Sequence, residues 1–210
     1  PSTVKATDPI LGLINLARMR KIPLRDQYNS VGIDVEWNTV TYVDKCLRMY
    51  KENMELFDFT DMLESFPKEG QGNCPNFDLC FVDEAQDLSP IQWDIAHIID
   101  EKSDRMYCAG DDDQAIYRWA GADVDHFINL EGGSETLYQS YRVPFEIHQL
   151  AERVVSRIKK RFLKEYKPKE NAQGSIRRIF SIEEIDMSEG SWLIMAQAGY
   201  QLNPVAGELR

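Results

Sequence analysis

Long apolar runs are the first feature that this sequence lacks. The chain has 210 residues, of which 43% are hydrophobic, yet no apolar run approaches the roughly 20 residues needed to span a bilayer. No basic segment followed by an apolar one opens the chain, as a secretory leader would. A chain of this size can bury a sizeable core. We therefore expect a globular, soluble protein with an intracellular, cytoplasmic location.

Paired cysteines are also lacking. The four cysteines are scattered, and only three histidines are present to complete a metal site with them. No CxxC pair occurs, so a zinc site or a disulfide framework is disfavoured. Cys80 and Cys108 lie in apolar, strand-like runs, and we expect both to be buried free thiols.

Positive charge is scarce. Lys and Arg number 24 against 35 Asp and Glu, which gives a formal net charge of -11. This excludes a protein that coats nucleic acid by bulk electrostatics, because phosphate binding needs cations in register with the backbone. The densest basic stretch, residues 153–169, could still form a local track. We favour a solvated helix face for this stretch, because charge runs commonly have that origin.

The phosphate-binding sequence Gly-x-x-x-x-Gly-Lys-Ser/Thr is absent as well. In that motif backbone amides cradle the phosphates, the lysine neutralises them and the hydroxyl binds magnesium. No Gly-Lys-Ser or Gly-Lys-Thr occurs anywhere in the chain. A self-contained P-loop site is therefore excluded for these 210 residues.

Helical patterns fill the first third of the chain. Asp8 and Pro9 suit an N-cap followed by proline at the first helical position, and Asp58 suits a second cap. A loop containing glycine and proline follows at 67–75. Amphipathic spacing predicts three helices, over residues 8–20, 35–54 and 59–66.

Short apolar runs then alternate with helices. Continuous apolar runs of this length are typical of buried parallel strands, and Ser89 suits the cap of a helix over 91–99. Three strands are predicted, over residues 77–82, 106–109 and 135–138. The alternation indicates an α/β sheet covered by helices, with ligands bound at the carboxyl ends of the strands.

The last third has a different composition. A long helix is predicted over 144–163, and strands of a further sheet over 175–180 and 192–196, separated from the helix by a polar loop. We place a domain boundary at 138–144.

Two adjacent carboxylates, Asp83 and Glu84, directly follow the first predicted strand. Magnesium and an attacking water need carboxylates held in such a place. In that arrangement Asp83 holds magnesium, directly or through water, and Glu84 polarises the nucleophilic water. Taken alone, an Asp-Glu pair is a weak signal, because acidic residues after strands are commonly helix caps or solvated turns.

Further motifs strengthen the signal. The sequence DEAQD at 83–87 is followed by GDDDQAIYRWAGA at 110–122 and LYQSYR at 137–142. Together they resemble the UvrD/Rep/PcrA family of superfamily 1 DNA helicases, whose members carry DEAxD (Walker B), GDxxQxIYxWRGA and NYR motifs in this order. LFDFTDML at 56–63 resembles the family's acidic-aromatic segment upstream of Walker B.

The resemblance implies roles for three more residues at the nucleotide. Gln114 would sense the γ-phosphate, its amide bridging a phosphate oxygen and the attacking water, although outside the motif it would be read as a turn residue. Arg142 would reach the γ-phosphate as a charge-stabilising arginine finger, which suits guanidinium geometry. Tyr141 would stack on the adenine base.

The resemblance also implies a DNA contact. Tyr117 and Trp119 lie two residues apart in a polar stretch, and in the family such aromatics lie on the DNA track. Base stacking is independent of sequence, as a translocase requires. We favour it over a buried core tryptophan. Ala120 stands where the family usually has arginine, which puts one DNA or interdomain contact in doubt, and Ser140 replaces the usual asparagine.

The fold implied by the resemblance is α/β. It is a partial RecA-like P-loop NTPase parallel sheet with an N-terminal helical insertion and the start of a second RecA-like domain. The implied domains are a helical 1B-like insertion at 1–70, the C-terminal half of motor domain 1A at 71–140, and the start of domain 2A at 141–210.

We therefore expect part of an ATP-dependent 3'-5' DNA helicase for replication or repair, coupling ATP hydrolysis to movement on single-stranded DNA. ATP and Mg2+ are the implied cofactors, and single-stranded DNA or a junction with duplex is the implied partner. Without a P-loop the chain alone should be inactive and need the remaining helicase segments.

The alternative is a non-catalytic DNA- or partner-binding module derived from a helicase. The presence of all four polar residues favours the motor, because such a module has no need of Asp83, Glu84, Gln114 and Arg142 together. Nothing in the residues supports an attached nuclease. An RNA helicase of the DEAD type is disfavoured, because the GDxxQ-aromatic run belongs to the other superfamily.

Overall fold

The computed structural model of the protein describes residues 8–196, 198–203 and 205. They form two compact units: the first holds the described residues up to Thr136 together with Ile158–Lys164, and the second holds Leu137–Arg157 and the described residues from Glu165 onward. Ile158–Lys164 therefore packs with the first unit, although its neighbours in sequence belong to the second. The ends of the predicted 1–70 and 141–210 domains, residues 1–7 and 206–210, lie outside the described residues.

Helices open the first unit, and the three predicted there are confirmed. In chain order they are α1 Pro9–Met19, α2 Leu24–Val31, α3 Trp37–Met54 and α4 Phe59–Ser65. Asp8 caps α1, since its Oδ1 accepts from the backbone N of Ile10 at 2.8 Å. Asp58 caps α4 reciprocally with Asp61: the backbone N of each donates to the carboxylate of the other, at 2.7 and 2.8 Å.

Two local features differ from the sequence expectation. Helix α2 is polar and short, so it gave little apolar periodicity; it begins after Pro23 and ends at Gly32, which has a left-handed φ of 62°. The predicted loop at 67–75 is wrong over most of its length. A π-helical turn at Phe66–Gly70 and a 3-10 turn at Gln71–Asn73 continue from α4.

An ion-pair network holds α1, α3 and α4 together. The guanidinium of Arg18 on α1 contacts Asp58 at 3.1 Å, Asp61 at 2.5 Å and Glu64 at 3.0 Å. Lys51 on α3 contacts Asp58 at 2.9 Å and Asp61 at 2.7 Å. Burial alone would raise the pKa of Asp61, but hydrogen bonds from Lys51 and the backbone of Asp58, with the charge of Arg18, lower it to about 2.

This network makes the free energy of unfolding depend on pH in the acid range. Because the folded pKa of Asp61 lies below its ordinary value of 3.8, its contribution is complete above the unfolded pKa and is lost as pH falls through about 2. Lys51→Met should remove part of that depression, since Arg18 and the backbone bond remain, lowering stability at neutral pH by about 1 kcal/mol and moving the acid-unfolding midpoint upward. Circular dichroism across pH 1–6 checks this. Lys45→Met, an exposed lysine on the same helix, should leave the midpoint in place; an equal shift in both variants contradicts the assignment.

A two-stranded parallel sheet forms the centre of the first unit. Strand β1 Cys80–Val82 pairs with β2 Met106–Cys108, with Cys80 opposite Met106 and Val82 opposite Cys108. An isolated parallel bridge joins Phe77 to Ser103. The predicted strands at 77–82 and 106–109 are thus confirmed in their central residues. Phe81 and Tyr107 stack with ring centroids 5.5 Å apart and are 72% and 51% exposed.

The other face of this sheet is packed. Helix α5 Pro90–Asp100 connects the two strands, as predicted at 91–99, and a short helix α6 Val124–Ile128 follows β2. Gln92 closes the start of α5, its Oε1 accepting from the backbone N of Ser89 at 2.9 Å and from Ser89 Oγ at 2.7 Å. The core consists of Ala85, Trp93 and Ala96, against which five partly buried residues pack, namely Val82, Leu88, Cys108, Phe127 and Leu130.

The second unit contains helix α7 Phe145–Val155, and four expectations for the chain from residue 135 onward are wrong. The predicted helix at 144–163 ends at Val155, because the like charges that follow it at helical spacing disfavour continuation. In the described residues no strand forms at 135–138, 175–180 or 192–196. A strand needs a neighbour to bond its backbone, and the pairing described here is one isolated bridge between Gln139 and Lys167.

The basic stretch and the thiols also differ from expectation. Arg161 and Lys164 are not on a solvated helix face, because their side chains are 12% and 7% exposed and pair with carboxylates of the first unit. Cys80 and Cys108 are free, as predicted, but half-buried. None of the described helices is both long enough and apolar enough to cross a membrane.

Candidate functional site

The predicted carboxylate pair lies where β1 ends. Asp83 and Glu84 are both exposed, and Oδ1 of Asp83 accepts from the backbone N of Glu84 at 2.9 Å. Glu84 has a left-handed backbone with φ 51°, a conformation that a residue with a side chain adopts at a cost and that clusters at functional sites. The backbone N of Ala85 then donates to the carbonyl of Ala109 at 2.9 Å, which ties this turn to the end of β2.

Gln86 connects the two strand ends, and no role for it was predicted from the sequence. Its buried side chain donates from Nε2 to Glu84 Oε2 at 2.9 Å and accepts at Oε1 from the backbone N of Asp111 at 3.0 Å. It also donates to Asp87 at 3.3 Å. Burial and the charge of Glu84 raise the pKa of Asp87, in part offset by that hydrogen bond. The one sequence signal for such a role was a polar residue two positions after the carboxylate pair. Its bonding partner, Asp111, lies 25 positions away in the sequence.

Gly110 allows this connection because it has no side chain. A Cβ built on it would lie 2.6 Å from Gln86 Oε1 and 2.9 Å from the Cζ of Phe127. Both distances are shorter than real Cβ contacts. A glycine therefore lets the segment after β2 and Gln86 approach this closely, and any side chain at this position would make Gln86 and Phe127 shift.

Substitution of this glycine should be costly. The Cβ that Gly110→Ala adds pushes the side chains of Gln86 and Phe127 away from position 110. We therefore expect a loss of about 1–3 kcal/mol in the free energy of unfolding and a melting temperature lower by several degrees. Gly133→Ala is the matched control, since a Cβ at Gly133 meets nothing within 4 Å. Differential scanning calorimetry of the two variants checks this. Equal melting temperatures would show that the packing at Gly110 is loose.

The turn after β2 carries the next predicted residue, Gln114. Residues Asp112–Gln114 form a 3-10 turn, and Nε2 of the exposed Gln114 side chain donates to Asp111 Oδ2 at 2.6 Å. Glu84 and Gln114 therefore belong to one hydrogen-bonded chain that runs through Gln86 and Asp111. Asp83 lies at the same edge of the sheet, beside Glu84.

Two cations from Ile158–Lys164 contact the acidic part of this turn. Lys164 Nζ contacts Asp111 at 2.8 Å and Asp113 at 3.3 Å, and it also contacts Asp112. Arg161 contacts Asp113 at 2.6 Å. Burial would raise the pKa of Asp111, but hydrogen bonds from Lys164 and Gln114 lower it.

The aromatic pair lies on the surface. Trp119 is 73% exposed and Tyr117 45%, with ring centroids 6.3 Å apart and an interplanar angle of 48°. A 3-10 turn at Arg118–Ala120 presents the tryptophan. It ends at Gly121, whose φ of 104° is left-handed. The alternative of a core tryptophan is therefore excluded.

Tyr141 and Arg142 belong to the second unit, where both side chains are exposed. Ser140 shapes the backbone at this motif: its Oγ accepts from the backbone N of Arg142 at 3.3 Å and of Val143 at 3.0 Å. The serine thus fills a turn-forming role that suits an asparagine equally well.

The donor set at β1 fits a hard cation. Mg2+ prefers oxygen ligands and binds through one or two carboxylates together with substrate phosphates, and Asp83 and Glu84 offer exposed carboxylates at the end of a parallel strand. Within the described residues, a second acidic group, Asp111, Asp112 and Asp113, has carboxylate oxygens within 4.8 Å of one another. That group is already neutralised in part by Lys164 and Arg161.

Comparison with known proteins defines the class. Residues 9–133 match the family model of the UvrD/REP helicase N-terminal domain. The chain belongs to this family of DNA helicases.

The individual relatives carry helicase names. The chain is 28% identical to the "Putative ATP-dependent DNA helicase YjcD" of Bacillus subtilis, in an alignment over 158 residues that covers 69% of the chain. It is 27% identical over 159 residues, 70% of its length, to the ATP-dependent DNA helicase PcrA of Leuconostoc citreum. It spans 20% and 21% of the lengths of these two relatives.

Proposed function

We propose that this chain is part of an ATP-dependent DNA helicase that couples ATP hydrolysis to 3'-5' movement on single-stranded DNA. The observation that carries the proposal is the hydrogen-bonded chain from Glu84 through Gln86 and Asp111 to Gln114. It holds the Glu84 carboxylate and the Gln114 amide at the carboxyl edge of a parallel sheet, where α/β folds bind ligands. Membership of the helicase family supports the same assignment.

The chemistry follows from the residues at that edge. Asp83 would hold Mg2+, which when bound neutralises charge on the phosphates. Glu84 accepts the proton of a water molecule as that water attacks the γ-phosphorus. The bond from the γ-phosphorus to the β-phosphate oxygen then breaks, releasing ADP and phosphate. Gln114 holds the attacking water and a phosphate oxygen through its amide.

Two residues of the second unit carry further proposed roles. Arg142 acts as the arginine finger that stabilises charge on the γ-phosphate in the transition state, and Tyr141 stacks on adenine. The exposure of both side chains supports these roles.

The proposed fold is a partial RecA-like motor. Residues 71–140 are the C-terminal half of motor domain 1A, 1–70 a 1B-like insertion and 141–210 the start of domain 2A. The parallel β1 and β2 pair supports the first assignment, and the helices α1–α4 support the second. Tyr117 and Trp119 lie on the DNA track and stack on bases, and their exposure supports that role.

The chain carries no P-loop sequence, so by itself it should not hydrolyse ATP. The test is the intact mass of the native gene product, with DNA-stimulated ATPase measured on that product and on this chain. A longer product that hydrolyses ATP while the chain does not supports the proposal. A product of 210 residues that binds DNA without hydrolysing ATP replaces the proposal with the binding module.

A further inference from the structure

The Asp111–Gln114 turn is built from groups that repel one another. Three consecutive carboxylates, Asp111, Asp112 and Asp113, converge within 4.8 Å. The side chains of Asp112 and Asp113 are 2% and 6% exposed, so water does little to screen them. Without compensation, like charges packed this closely would open the turn.

The compensation comes from a single short segment. Lys164 Nζ contacts all three carboxylates, so its ammonium lies among their negative charges. Arg161 adds a contact to Asp113 at 2.6 Å. The backbone N of Phe162 donates to Asp112 Oδ2 at 2.8 Å. Two cationic side chains and one backbone amide of Ile158–Lys164 thus contact all three carboxylates of this acidic turn.

The acidic turn also holds the proposed catalytic groups in place. Asp111 uses Oδ1 for Lys164, at 2.8 Å, and Oδ2 for the amide of Gln114, at 2.6 Å. Its backbone N donates to Gln86 at 3.0 Å, and Gln86 donates to Glu84 at 2.9 Å. Any movement of Asp111 therefore displaces Gln114 directly and Glu84 through one intermediate.

We propose that Lys164, assisted by Arg161, is a positioning residue for ATP hydrolysis, holding the acidic turn so that Gln114 and Glu84 keep their geometry at the nucleotide. The kinetic part of this inference rests on the proposed function. The structural part, in which Lys164 holds the acidic turn, does not. Through the contacts described above, both cations act on Gln114 and Glu84 by way of Asp111 and its neighbours. A charge-neutral residue at 164 should slow the chemical step and leave ATP affinity in place.

The test combines a structural and a kinetic measurement on the native gene product. Lys164→Met removes the charge and keeps the length, and Lys164→Arg restores the charge. Lys160→Met is the matched control, because Lys160 lies in the same segment but is 55% exposed and contacts Asp125, at 3.0 Å. Arg161→Gln is a milder variant that decides the question if Lys164→Met does not fold.

Hydrogen exchange measures the turn without any need for activity. The backbone amides of Asp111, Asp113 and Gln114 are bonded within the turn or to Gln86. In Lys164→Met they should exchange at least about tenfold faster, in Lys164→Arg near the wild-type rate, and in Lys160→Met at the wild-type rate. Exchange within twofold of wild type in Lys164→Met overturns the proposal.

DNA-stimulated ATP hydrolysis measures the consequence. In Lys164→Met, kcat should fall at least about tenfold while the KM for ATP stays within twofold, and Lys164→Arg should recover most of the loss. Faster exchange with unchanged kcat overturns the positioning role. A wild-type product that hydrolyses no ATP overturns the proposed function, while exchange still decides whether Lys164 holds the turn.

Discussion

Replacing Glu84 with glutamine in the native gene product is expected to lower ATP turnover by about 100-fold or more while ATP still binds. Loss of a general base costs roughly 100- to 10,000-fold, and glutamine cannot take the proton of the attacking water. The substitution is close to isosteric, and a glutamine oxygen can still accept the hydrogen bond that Gln86 donates to Glu84 at 2.9 Å. The loss should therefore be confined to kcat.

The measurement is DNA-stimulated phosphate release beside equilibrium binding of a fluorescent ATP analogue. Glu131→Gln, an exposed glutamate beyond α6, is the control and should hydrolyse ATP at the wild-type rate. Retained turnover in Glu84→Gln would remove Glu84 from the mechanism. Loss of both binding and turnover would instead point to a structural role for this side chain.

Replacing Trp119 with alanine is expected to weaken single-stranded DNA binding by roughly 5- to 150-fold, since base stacking is worth about 1–3 kcal/mol per base. The tryptophan is 73% exposed, so truncation leaves no cavity and should leave the melting temperature unchanged. Stimulation of ATP hydrolysis should then need a correspondingly higher DNA concentration. Trp119→Phe keeps an aromatic ring and should retain most of the affinity.

Fluorescence anisotropy with labelled oligonucleotides of several base compositions measures the effect. Trp192→Ala is the matched control, because Trp192 is also a tryptophan and is 52% exposed. It should bind DNA as the wild type does. If Trp119→Ala binds DNA equally well, the aromatic pair does not lie on the DNA track. If affinity falls for some sequences and not others, sequence readout replaces simple stacking.

Local signals in the sequence predicted the first unit well. The Asp8 and Asp58 caps and the apolar periodicity fixed α1 and α4, and the apolar runs fixed β1 and β2, because each of these is decided by neighbours a few positions away. Helix α2 was missed since it is only 8 residues long and mostly polar, so its apolar positions Leu24, Tyr28 and Val31 make too short a pattern to stand out. The candidate residues Asp83, Glu84 and Gln114 were found by motif, and their roles stay predictions.

Contacts between residues far apart in the sequence could not be predicted from local patterns. Lys164 and Asp112 are 52 positions apart, and a run of lysine and arginine looks the same whether it faces water or a cluster of aspartates. The predicted strands at 135–138, 175–180 and 192–196 failed for a related reason. Apolar composition shows that a segment can be a strand, whereas only a hydrogen-bonding neighbour makes it one.

The stacked pair of Phe81 and Tyr107 has a practical consequence. These rings form an aromatic surface on one face of a parallel sheet, and such sheets are normally covered on both faces. When this chain is made in isolation, that surface should favour self-association, because contact between copies removes the two rings from water. Added salt will not dissolve such aggregates. Co-production with a polypeptide that packs over the rings will prevent them from forming.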